Sequence, residues 1–453
     1  MKILFVSSEC APFSKSGGLA DVAFSLPPAL QKTGDDMAIV TPMYRVTQEN
    51  YGDEFERIKT CQIVLGQRRL ACSLYRGALN GVTVYAIGNE HLFHRPRLYG
   101  YGDDSLRFAF FCRAVIDLLP EFGDLPDILH CNDWETALAI LYLKNDAVLR
   151  PELSHIKTVY TIHNIAYQGQ FGRSEMEATF ALPDGWYHGG LSYEFEGRQD
   201  INLMKGAMLM ADAVTTVSPT YARELHYPYF AHGLQGVVDM VDHKLYGILN
   251  GIDVNDYDPS KDPQIYANYD PYHLGGKETC KAELQKELGL TVDPTVPLVG
   301  IISRLSNQKG FDLIECVIRE LMATGIQLVV LGMGEAKYTN LFSWAESEYP
   351  GRNLSNGGKI QYVRYPVSYN KEAIRTLVRR AMKLGLYEGV NLSLAYCDDC
   401  GYQQLEMDVC PKCGSKNLTK IDRMNGYLSY SRVHGESRLN DAKMAEIAER
   451  KSM

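Results

Sequence analysis

Short apolar runs alternate with amphipathic segments along the first 245 residues. The first run, residues 3–6, is followed by a polar loop with two adjacent glycines, and leucines at helical spacing begin directly after it. A continuous apolar run of this length is typical of a parallel strand that is buried on both faces. The pattern predicts further strands at residues 37–42, 82–87, 127–130, 158–163 and 213–218, and a strand and turn at 247–251. Such alternation is typical of a doubly wound α/β domain.

A second, shorter alternation follows residues 253–276, a segment rich in Asp, Tyr and Pro that we interpret as a linker. It predicts strands at 297–303 and 327–331 and helices at 309–324 and 336–348. From residue 353 the pattern changes. There it predicts a turn-rich break at 353–358, a strand at 359–364 and a helix at 371–384, followed by a polar, charged tail.

The composition excludes several classes of protein. A chain of 453 residues with 45% hydrophobic and 22% charged residues is ordinary for a globular protein of two or three domains. The net charge of −9 argues against general binding to nucleic acid or a membrane surface, because phosphates repel an acidic surface. No apolar run approaches the roughly 18 residues that span a bilayer, and the N-terminus lacks the pattern of a signal peptide. We therefore expect a cytoplasmic protein with neither nucleic-acid nor membrane partners.

The N-terminal strand, glycine loop and helix start form a candidate anion site. Gly17 and Gly18 let the backbone approach a ligand, free N–H groups point outward, and the helix dipole favours negative charge. Lys15 adds a mobile cation beside them. From these residues alone, an anion site and a bare strand–helix turn are equally acceptable interpretations.

The 11 cysteines fall into two groups. Seven are scattered singly, and we expect them to be reduced and mostly buried. The other four form two C-x-x-C pairs, namely Cys397, Cys400, Cys410 and Cys413. This is the arrangement of a four-thiolate zinc ribbon, with Gly401 and Gly414 permitting the tight turns. We expect structural zinc, with rubredoxin-like iron as the alternative.

Several stretches before residue 352 resemble the bacterial glycogen and starch synthases. They are residues 15–19 (KSGGL), 130–134 (HCNDW), 161–169 (TIHNIAYQG), 247–253 (GILNGID) and 303–310 (SRLSNQKG). Asn132 departs from the family's H-x-H-D-W. The resemblance implies an α/β fold, a GT-B-like pair of doubly wound, Rossmann-like domains. It also implies a retaining glucosyltransferase that moves glucose from ADP-glucose to the 4-OH end of an α-1,4-glucan (glycogen) without a cofactor or metal. The analogy alone favours ADP-glucose over UDP-glucose.

The resemblance also implies roles for individual residues. His163 would lie against the transferred glucose, and Asp133 would contact sugar hydroxyls. Arg304 and Lys309 would clamp the diphosphate, because a cation pair at a strand end stabilises the charge left by departing ADP. The implied substrate-binding residues are Lys15, Gly17, Gly18, Asp21 and Asn250.

The resemblance ends near Arg352. The family's donor-sugar glutamate loop and half of its second sheet do not follow, so we expect the second domain to be incomplete and activity to be impaired. Apolar sheet edges would be exposed unless the strand at 359–364 covers them. We therefore expect low stability and aggregation.

The residues after Arg352 resemble a different family, the C-terminal part of anaerobic ribonucleotide reductases. Residues 423–427 (RMNGY) are similar to its glycyl-radical motif, in which Gly426 would store the radical. In that family the radical passes to cysteines of a large barrel domain that this sequence does not contain. We therefore expect no reductase chemistry, while the zinc ribbon would still fold around its metal.

The sequence thus predicts three parts. Residues 1–252 form an N-terminal starch-synthase catalytic domain, residues 253–352 a partial C-terminal glycosyltransferase domain, and residues 353–453 a reductase-like tail with a small zinc ribbon at 397–413. A natural fusion, a cloned chimera and an assembly error are all open as origins of the junction. Two alternative functions are also open: a zinc-bearing glycyl-radical fragment, and a non-catalytic remnant that binds nucleotide sugar or glucan.

Overall fold

The chain divides into two compact units, Met1–Asn255 and Asp256–Met453. The computed structural model describes residues 1–195, 198–349, 353–356, 360–363, 387–390, 394–405, 407–424, 427–433 and 436–437. The predicted helix at 371–384 and the predicted radical residue Gly426 lie outside these described residues.

The first unit is a mixed α/β structure. Its strands are β1 (Lys2–Val6), β2 (Asp36–Pro42), β3 (Glu56–Leu65), β4 (Arg68–Leu79), β5 (Val82–Gly88), β6 (Ile128–Asn132), β7 (Lys157–Ile162), β8 (Gln170–Gly172), β9 (Ser192–Phe195), β10 (Arg198–Asn202), β11 (Ala213–Thr216) and β12 (Leu245–Gly247). Its helices are α1 (Gly18–Lys32), α2 (Arg45–Tyr51), α3 (Glu90–Phe93), α4 (Asp104–Asp117), α5 (Trp134–Asp146), α6 (Leu203–Met210), α7 (Pro219–Glu224), α8 (Pro228–Ala231) and α9 (Gln235–Val241).

One nine-stranded sheet organises this unit, in the order β12–β11–β7–β6–β1–β2–β5–β4–β3. The strands from β12 to β5 pair in parallel, and β4 and β3 add an antiparallel edge. Side chains alternate between two cores: Leu4 and Val6 face the core that contains α4, α5 and α6, while Ile3 and Phe5 face the core that α1 packs against. Burial on both faces explains why β1 is a continuous apolar run.

The antiparallel edge was not predicted from the sequence. Residues of β3 alternate between exposed and buried positions near its end, so the strand offers no continuous apolar run. Its turns nevertheless carry a sequence signal: Gly66, Asn80 and Gly81 all have positive φ, as tight hairpin turns require. The strand predicted at 247–251 is also displaced, because β12 ends at Gly247 and the next residues lack regular structure.

The second unit contains three separate sheets among its described residues. Its strands are β13 (Leu298–Ile302), β14 (Gln327–Leu331), β15 (Asn353–Asn356), β16 (Ile360–Val363), β17 (Tyr387–Val390), β18 (Leu394–Cys397), β19 (Gln403–Leu405), β20 (Leu418–Met424), β21 (Tyr427–Val433) and β22 (Glu436–Ser437), and its helices are α10 (Gly275–Glu287), α11 (Phe311–Ala323) and α12 (Ala336–Glu348). Strands β13–β14–β15 and β16–β17 pair in parallel, and β19–β18–β20–β21–β22 pair antiparallel.

One expectation about the junction is wrong and another is confirmed. The break predicted at 353–358 is partly strand, because β15 pairs in parallel with β14. The strand predicted at 359–364 is present as β16 (Ile360–Val363), which pairs with β17 and not with the sheet of β13–β15. The described residues thus cover the edge of β14 with a segment that the sequence had marked as turn.

Apolar side chains are left exposed on the three-stranded sheet. Helices α11 and α12 cover one face, where Leu328 and Val330 are buried. The strand ends carry Ile302 and Leu331, whose side chains are 83% and 48% exposed. Within the described part of the chain, no helix is long and apolar enough to cross a membrane.

Gly169 offers a test of the packing in the first unit. It has a φ of +64°, and a Cβ added there would lie 2.6 Å from Cε3 of Trp134. We expect Gly169→Ala to lower the free energy of unfolding by about 2–4 kcal/mol, through the left-handed backbone and the steric clash together. Urea unfolding followed by tryptophan fluorescence measures this change.

Gly172→Ala is the matched control, because its added Cβ would meet only Ser174 Oγ, at an ordinary 3.7 Å. It should change the free energy of unfolding by less than about 1 kcal/mol. Equal destabilisation by both substitutions would contradict the proposed packing of Gly169 on Trp134.

Candidate functional site

The predicted site residues of the first unit follow the carboxyl ends of its parallel strands. The glycine loop follows β1, Asp133 follows β6, His163 follows β7 and Asn250 follows β12. Because these strands are parallel, their carboxyl ends meet at one edge of the sheet, which is where open α/β sheets bind ligands. Strands β2 and β5 lie on one side of β1, and β6 and β7 lie on the other, so this edge includes a topological switch point.

The glycine loop is organised around Glu9, a buried carboxylate. Oε2 of Glu9 accepts from the backbone N–H of Ser16 and, at 3.3 Å, from that of Gly17, while Oε1 accepts from Ser16 Oγ at 3.2 Å. Burial raises the pKa of Glu9, and these hydrogen bonds oppose the rise. Two amides expected to face a ligand therefore hold a carboxylate of the chain itself, which fixes the loop.

Lys15 lies on the exposed side of the same loop. Its Nζ is 2.6 Å from Oδ1 of Asp21, in the first turn of α1, and both side chains are about half exposed. Gly18 and Asn250 are also exposed. The structure thus brings Lys15 and Asp21 into contact, and Asn250 lies two strands from His163 along the same edge.

Asn132 links β1 to His163. Its Nδ2 donates to the carbonyl oxygen of Val6 at 3.0 Å and lies 3.5 Å from that of His130, and its Oδ1 is 3.0 Å from His163 Nε2. Its side chain is completely buried. Burial also lowers the pKa of His163 to about 4, so this imidazole is neutral at neutral pH.

Asp133 holds the backbone of the next loop. Its Oδ1 accepts from the backbone N–H of His163 at 2.8 Å and from that of Asn164 at 3.3 Å. Asp133 itself has a φ of +55°, an uncommon conformation for a residue other than glycine. Burial raises its pKa to about 7, while the two amides act in the opposite direction. The structure thus brings Asp133 and His163 together, through a hydrogen bond from the main chain of His163.

A chain of side-chain hydrogen bonds runs beneath His163. His130 Nε2 is 2.7 Å from Thr161 Oγ1, which is 2.6 Å from Thr215 Oγ1. Burial and the nearby His163 lower the pKa of His130 to about 3, so His130 is neutral as well. These residues tie β6, β7 and β11 together below the edge.

The loop after His163 is anchored by Gln168, whose side chain is buried. Its Nε2 donates to the carbonyl oxygens of Ile165 and His232, at 3.0 and 3.1 Å, and its Oε1 accepts from Asn202 at 2.7 Å. Fixed at both ends, the loop holds His163 in one place.

In the second unit, Arg304 and Lys309 flank a short loop after β13. Both side chains are exposed, and within the described residues neither takes part in an ion pair. The loop backbone is fixed: Leu305 donates to the carbonyl oxygen of Met333 at 2.8 Å, and Glu335 donates to that of Leu305 at 2.7 Å. The two cations therefore project from a loop whose backbone is held by hydrogen bonds.

Two glycines permit this close contact between loops. A Cβ at Gly332 would lie 1.9 Å from the carbonyl oxygen of Ser303, and one at Gly334 would lie 2.0 Å from that of Leu305. The sequence analysis did not identify them, although a G-x-G directly after an apolar strand was a usable signal. It also missed Glu9 and the orienting contact of Asn132, since these depend on contacts that motifs do not reveal.

The four paired cysteines lie together in the second unit. Their sulfurs are all within 4.8 Å of one another, with 3.5 Å between Cys397 and Cys413 and between Cys400 and Cys410. A tetrahedral zinc with Zn–S bonds of about 2.3 Å separates its sulfurs by about 3.8 Å. The donor set and its spacing therefore fit a four-thiolate metal ion.

Matching turns present these sulfurs. In the first, Gly401 donates to the carbonyl oxygen of Cys397 at 2.9 Å, and in the second, Gly414 donates to that of Cys410 at 2.8 Å. Both glycines have positive φ, at 71° and 72°. This is the tight turn that the sequence analysis attributed to them.

Comparisons with known protein families match both parts of the chain. Residues 2–240 match the starch synthase catalytic domain. Residues 334–453 match anaerobic ribonucleoside-triphosphate reductase, a match that begins before Arg352. Both resemblances drawn from the sequence are therefore confirmed. The three-part division at residues 252 and 352 stays a prediction.

Individual relatives agree with the first match. The glycogen synthase of Clostridium novyi (strain NT) is 40% identical over 368 residues, covering 80% of this chain and 76% of the relative. That of Clostridium acetobutylicum is 42% identical over 357 residues, covering 79% and 74%. The catalytic domain of starch synthase IV from Arabidopsis thaliana, solved with ADP and acarbose, has a TM-score of 0.71 and 31% identity, covering 79% of this chain and 73% of that chain. These matches confirm the predicted fold class.

The raised pKa of Asp133 predicts a pH-dependent effect of Asp133→Asn. Asn can still accept both amide hydrogen bonds but cannot ionise. In the wild type, the unfolded carboxyl ionises near its ordinary pKa of 3.8 and the folded one only at about 7, so stability is lost as pH rises between them. The variant should therefore gain free energy of unfolding relative to wild type across this interval, by up to about 1.4 kcal/mol per pH unit, and hold a constant gain above it.

Asp212→Asn provides a control of opposite sign. Burial works against ionisation of Asp212, but Lys144 and Thr158 outweigh it and lower the pKa to about 2. This variant should therefore be less stable than wild type at neutral pH. Chemical denaturation at a series of pH values measures both, and a pH profile of Asp133→Asn parallel to that of wild type would refute the assignment.

Proposed function

Because this chain belongs to the starch and glycogen synthase family of glycosyltransferases, we propose that it binds ADP-glucose and transfers glucose to the 4-OH end of an α-1,4-glucan with retention. One observation carries the proposal: the family's motif residues in the first unit follow strands whose carboxyl ends meet at one edge of the nine-stranded sheet, next to a topological switch point. No cofactor takes part in the proposed transfer.

Residues of the first unit would hold the sugar. Neutral His163 would lie against the transferred glucose, and the free oxygen of Asp133 would contact sugar hydroxyls while Oδ1 holds the loop. Lys15 and Asp21 would bind the nucleotide sugar beside Gly17 and Gly18, and Asn250 would lie near the glucose. A neutral imidazole suits this place, because it can accept a hydrogen bond from a hydroxyl.

Arg304 and Lys309 would bind the diphosphate of the leaving group. As the bond to glucose breaks, negative charge grows on the departing phosphate, and cations held by a rigid loop stabilise it without reorganising. The exposure of both side chains supports this role. We expect activity to be impaired, because the family's donor-sugar glutamate has no counterpart among the residues that follow Arg352.

The test is transfer of labelled glucose from ADP-glucose to glycogen by the full chain. We expect bound ADP-glucose and a kcat about 100-fold or more below that of the Clostridium acetobutylicum relative, since one missing transition-state contact costs on this order. Arg304→Ala should abolish the remaining transfer because it removes the diphosphate clamp. Competition by UDP-glucose would show whether the donor is selected by its base.

Arg319→Ala is the matched control for that substitution. Arg319 is an exposed arginine of α11 that stacks on Trp344, 4.3 Å from the ring centroid, away from the loop. Its loss should leave donor binding and transfer unchanged. If the wild-type chain neither binds ADP-glucose nor transfers its glucose, the proposed function is refuted. Binding without turnover would leave only the interpretation as a non-catalytic remnant.

We further propose that Cys397, Cys400, Cys410 and Cys413 hold one structural zinc ion. The cysteines would supply four thiolates and the ion would supply folding free energy, next to a described hydrophobic cluster of five buried residues. A glycyl-radical function at Gly426 has support only from the family match of the tail. An EPR doublet after treatment with an activase would favour it. A cytoplasmic location stays a prediction.

Metal analysis of the purified chain tests the zinc site. We expect one zinc per chain and loss of most of it in Cys410→Ser, because three thiolates bind zinc more weakly than four. Cys316→Ser is the control, since Cys316 is an exposed cysteine of the same unit outside the cluster. Iron in place of zinc, or full zinc in Cys410→Ser, would contradict the assignment.

A further inference from the structure

The contact between Asn132 and His163 bears on which nitrogen of the His163 ring carries the proton. A neutral imidazole carries its proton on one of two nitrogens, and the partner of each nitrogen determines which one. His163 Nε2 has one partner, Oδ1 of Asn132 at 3.0 Å. Within the described residues, no hydrogen bond reaches its Nδ1. The protonation of the ring therefore depends on which way the Asn132 amide points.

The orientation of that amide is set by two backbone carbonyl groups. The carbonyl oxygens of Val6 and His130 lie 3.0 and 3.5 Å from one terminal atom of the Asn132 amide, and His163 Nε2 lies 3.0 Å from the other. A carbonyl oxygen only accepts hydrogen bonds, so the NH₂ group must face these two oxygens. The reversed amide would place its oxygen against both carbonyl oxygens in a buried site and leave both hydrogen bonds unmade, which is unfavourable.

We propose that Asn132 is a positioning residue that holds His163 as the Nε2–H tautomer and leaves Nδ1 as the nitrogen that accepts hydrogen bonds. With the NH₂ group committed to Val6, only the amide oxygen faces His163, and an oxygen requires a donor. The Nε2 proton of His163 supplies it. Burial of the ring keeps it neutral, so one nitrogen must be left unprotonated.

This assignment adds a specific property to the site. An unprotonated Nδ1 accepts a hydrogen bond from a hydroxyl and gives none to an ether or carbonyl oxygen. The ring would therefore select a hydroxyl-bearing face of the ligand, a step that rests on the proposed sugar-binding function. The proton position itself follows from Val6, Asn132 and His163 alone.

Nitrogen-15 NMR of the full chain, labelled at its histidine rings, tests the tautomer without any turnover. His163→Gln identifies the His163 signals by their loss. In wild type we expect a single neutral tautomer with a protonated Nε2, a bare Nδ1 and a slowly exchanging Nε2 proton. A proton found on Nδ1 would overturn the proposal, whatever the transferase activity, and absence of transfer would leave a confirmed tautomer in place.

Two substitutions of Asn132 change the contact in opposite ways. Asn132→Leu removes the acceptor, so His163 should populate both tautomers and its ring proton should exchange rapidly. Asn132→Asp places a carboxylate at the Nε2 proton, which should raise the pKa of His163 from about 4 by about 1–3 units. If Asn132→Leu leaves the tautomer and the exchange rate of the ring proton unchanged, or if Asn132→Asp leaves the pKa of His163 unchanged, the role of Asn132 is refuted.

Asn89→Leu is the matched control for lost hydrogen bonds. Asn89 caps α3 through the amides of His91 and Leu92 and donates to the carbonyl oxygen of Ala71 at 2.7 Å, remote from the β6–β7 edge. Its substitution should reduce stability and leave the His163 signals unchanged. If Asn132→Leu fails to fold, the wild-type tautomer and the Asn132→Asp titration still decide the question.

Discussion

Polar groups carried to the carboxyl edge of the nine-stranded sheet must find partners there, because the strands that deliver them are buried on both faces. Three contacts meet this constraint: Glu9 with the glycine loop, Asn132 with Val6 and His163, and Asp133 with the loop amides. Each joins the end of one strand to a neighbouring strand or loop. These three contacts satisfy buried polar groups, and they also fix the backbone of the candidate site. The side chains of that site are therefore positioned by the same hydrogen bonds that stabilise the sheet.

The central strands could be predicted because a parallel strand buried on both faces has a composition of its own. β1, β2 and β5 to β7 lie within one or two residues of their predicted positions. The β3–β4 hairpin could not be predicted from apolar runs, because its strands are partly exposed, although its Asn80-Gly81 turn was a usable signal. β15 was interpreted as a turn because its residues favour turns, and pairing with β14 overrides that local preference.

For the site, the sequence located residues but not their partners. Asp133 and His163 were identified through the motifs that they share with the synthase family. That Asn132 bridges Val6 and His163 could not be predicted, since Asn132 and Val6 are 126 residues apart and meet only when β6 pairs with β1. In the sequence, Asn132 stood out only as a departure from a family motif. The register of β1, β6 and β7 places its side chain between Val6 and His163, and this explains what the residue does.

The second unit contains two small structures that differ in what stabilises them: an apolar core around α11 and α12, and a cluster of four cysteines. Around α11 and α12, a core that includes Phe311, Ile318 and Phe342 supports β14, yet Ile302 stays 83% exposed at the end of β13. Among the residues of the cysteine tail whose burial is described, the hydrophobic cluster consists of Ala395, Cys397, Met407, Cys410 and Leu418, which is a small core. In the proposed zinc site, four thiolates around one ion would add folding free energy locally. Since the four cysteines share no residue with the core around α11 and α12, loss of the proposed metal should loosen the ribbon while that core persists.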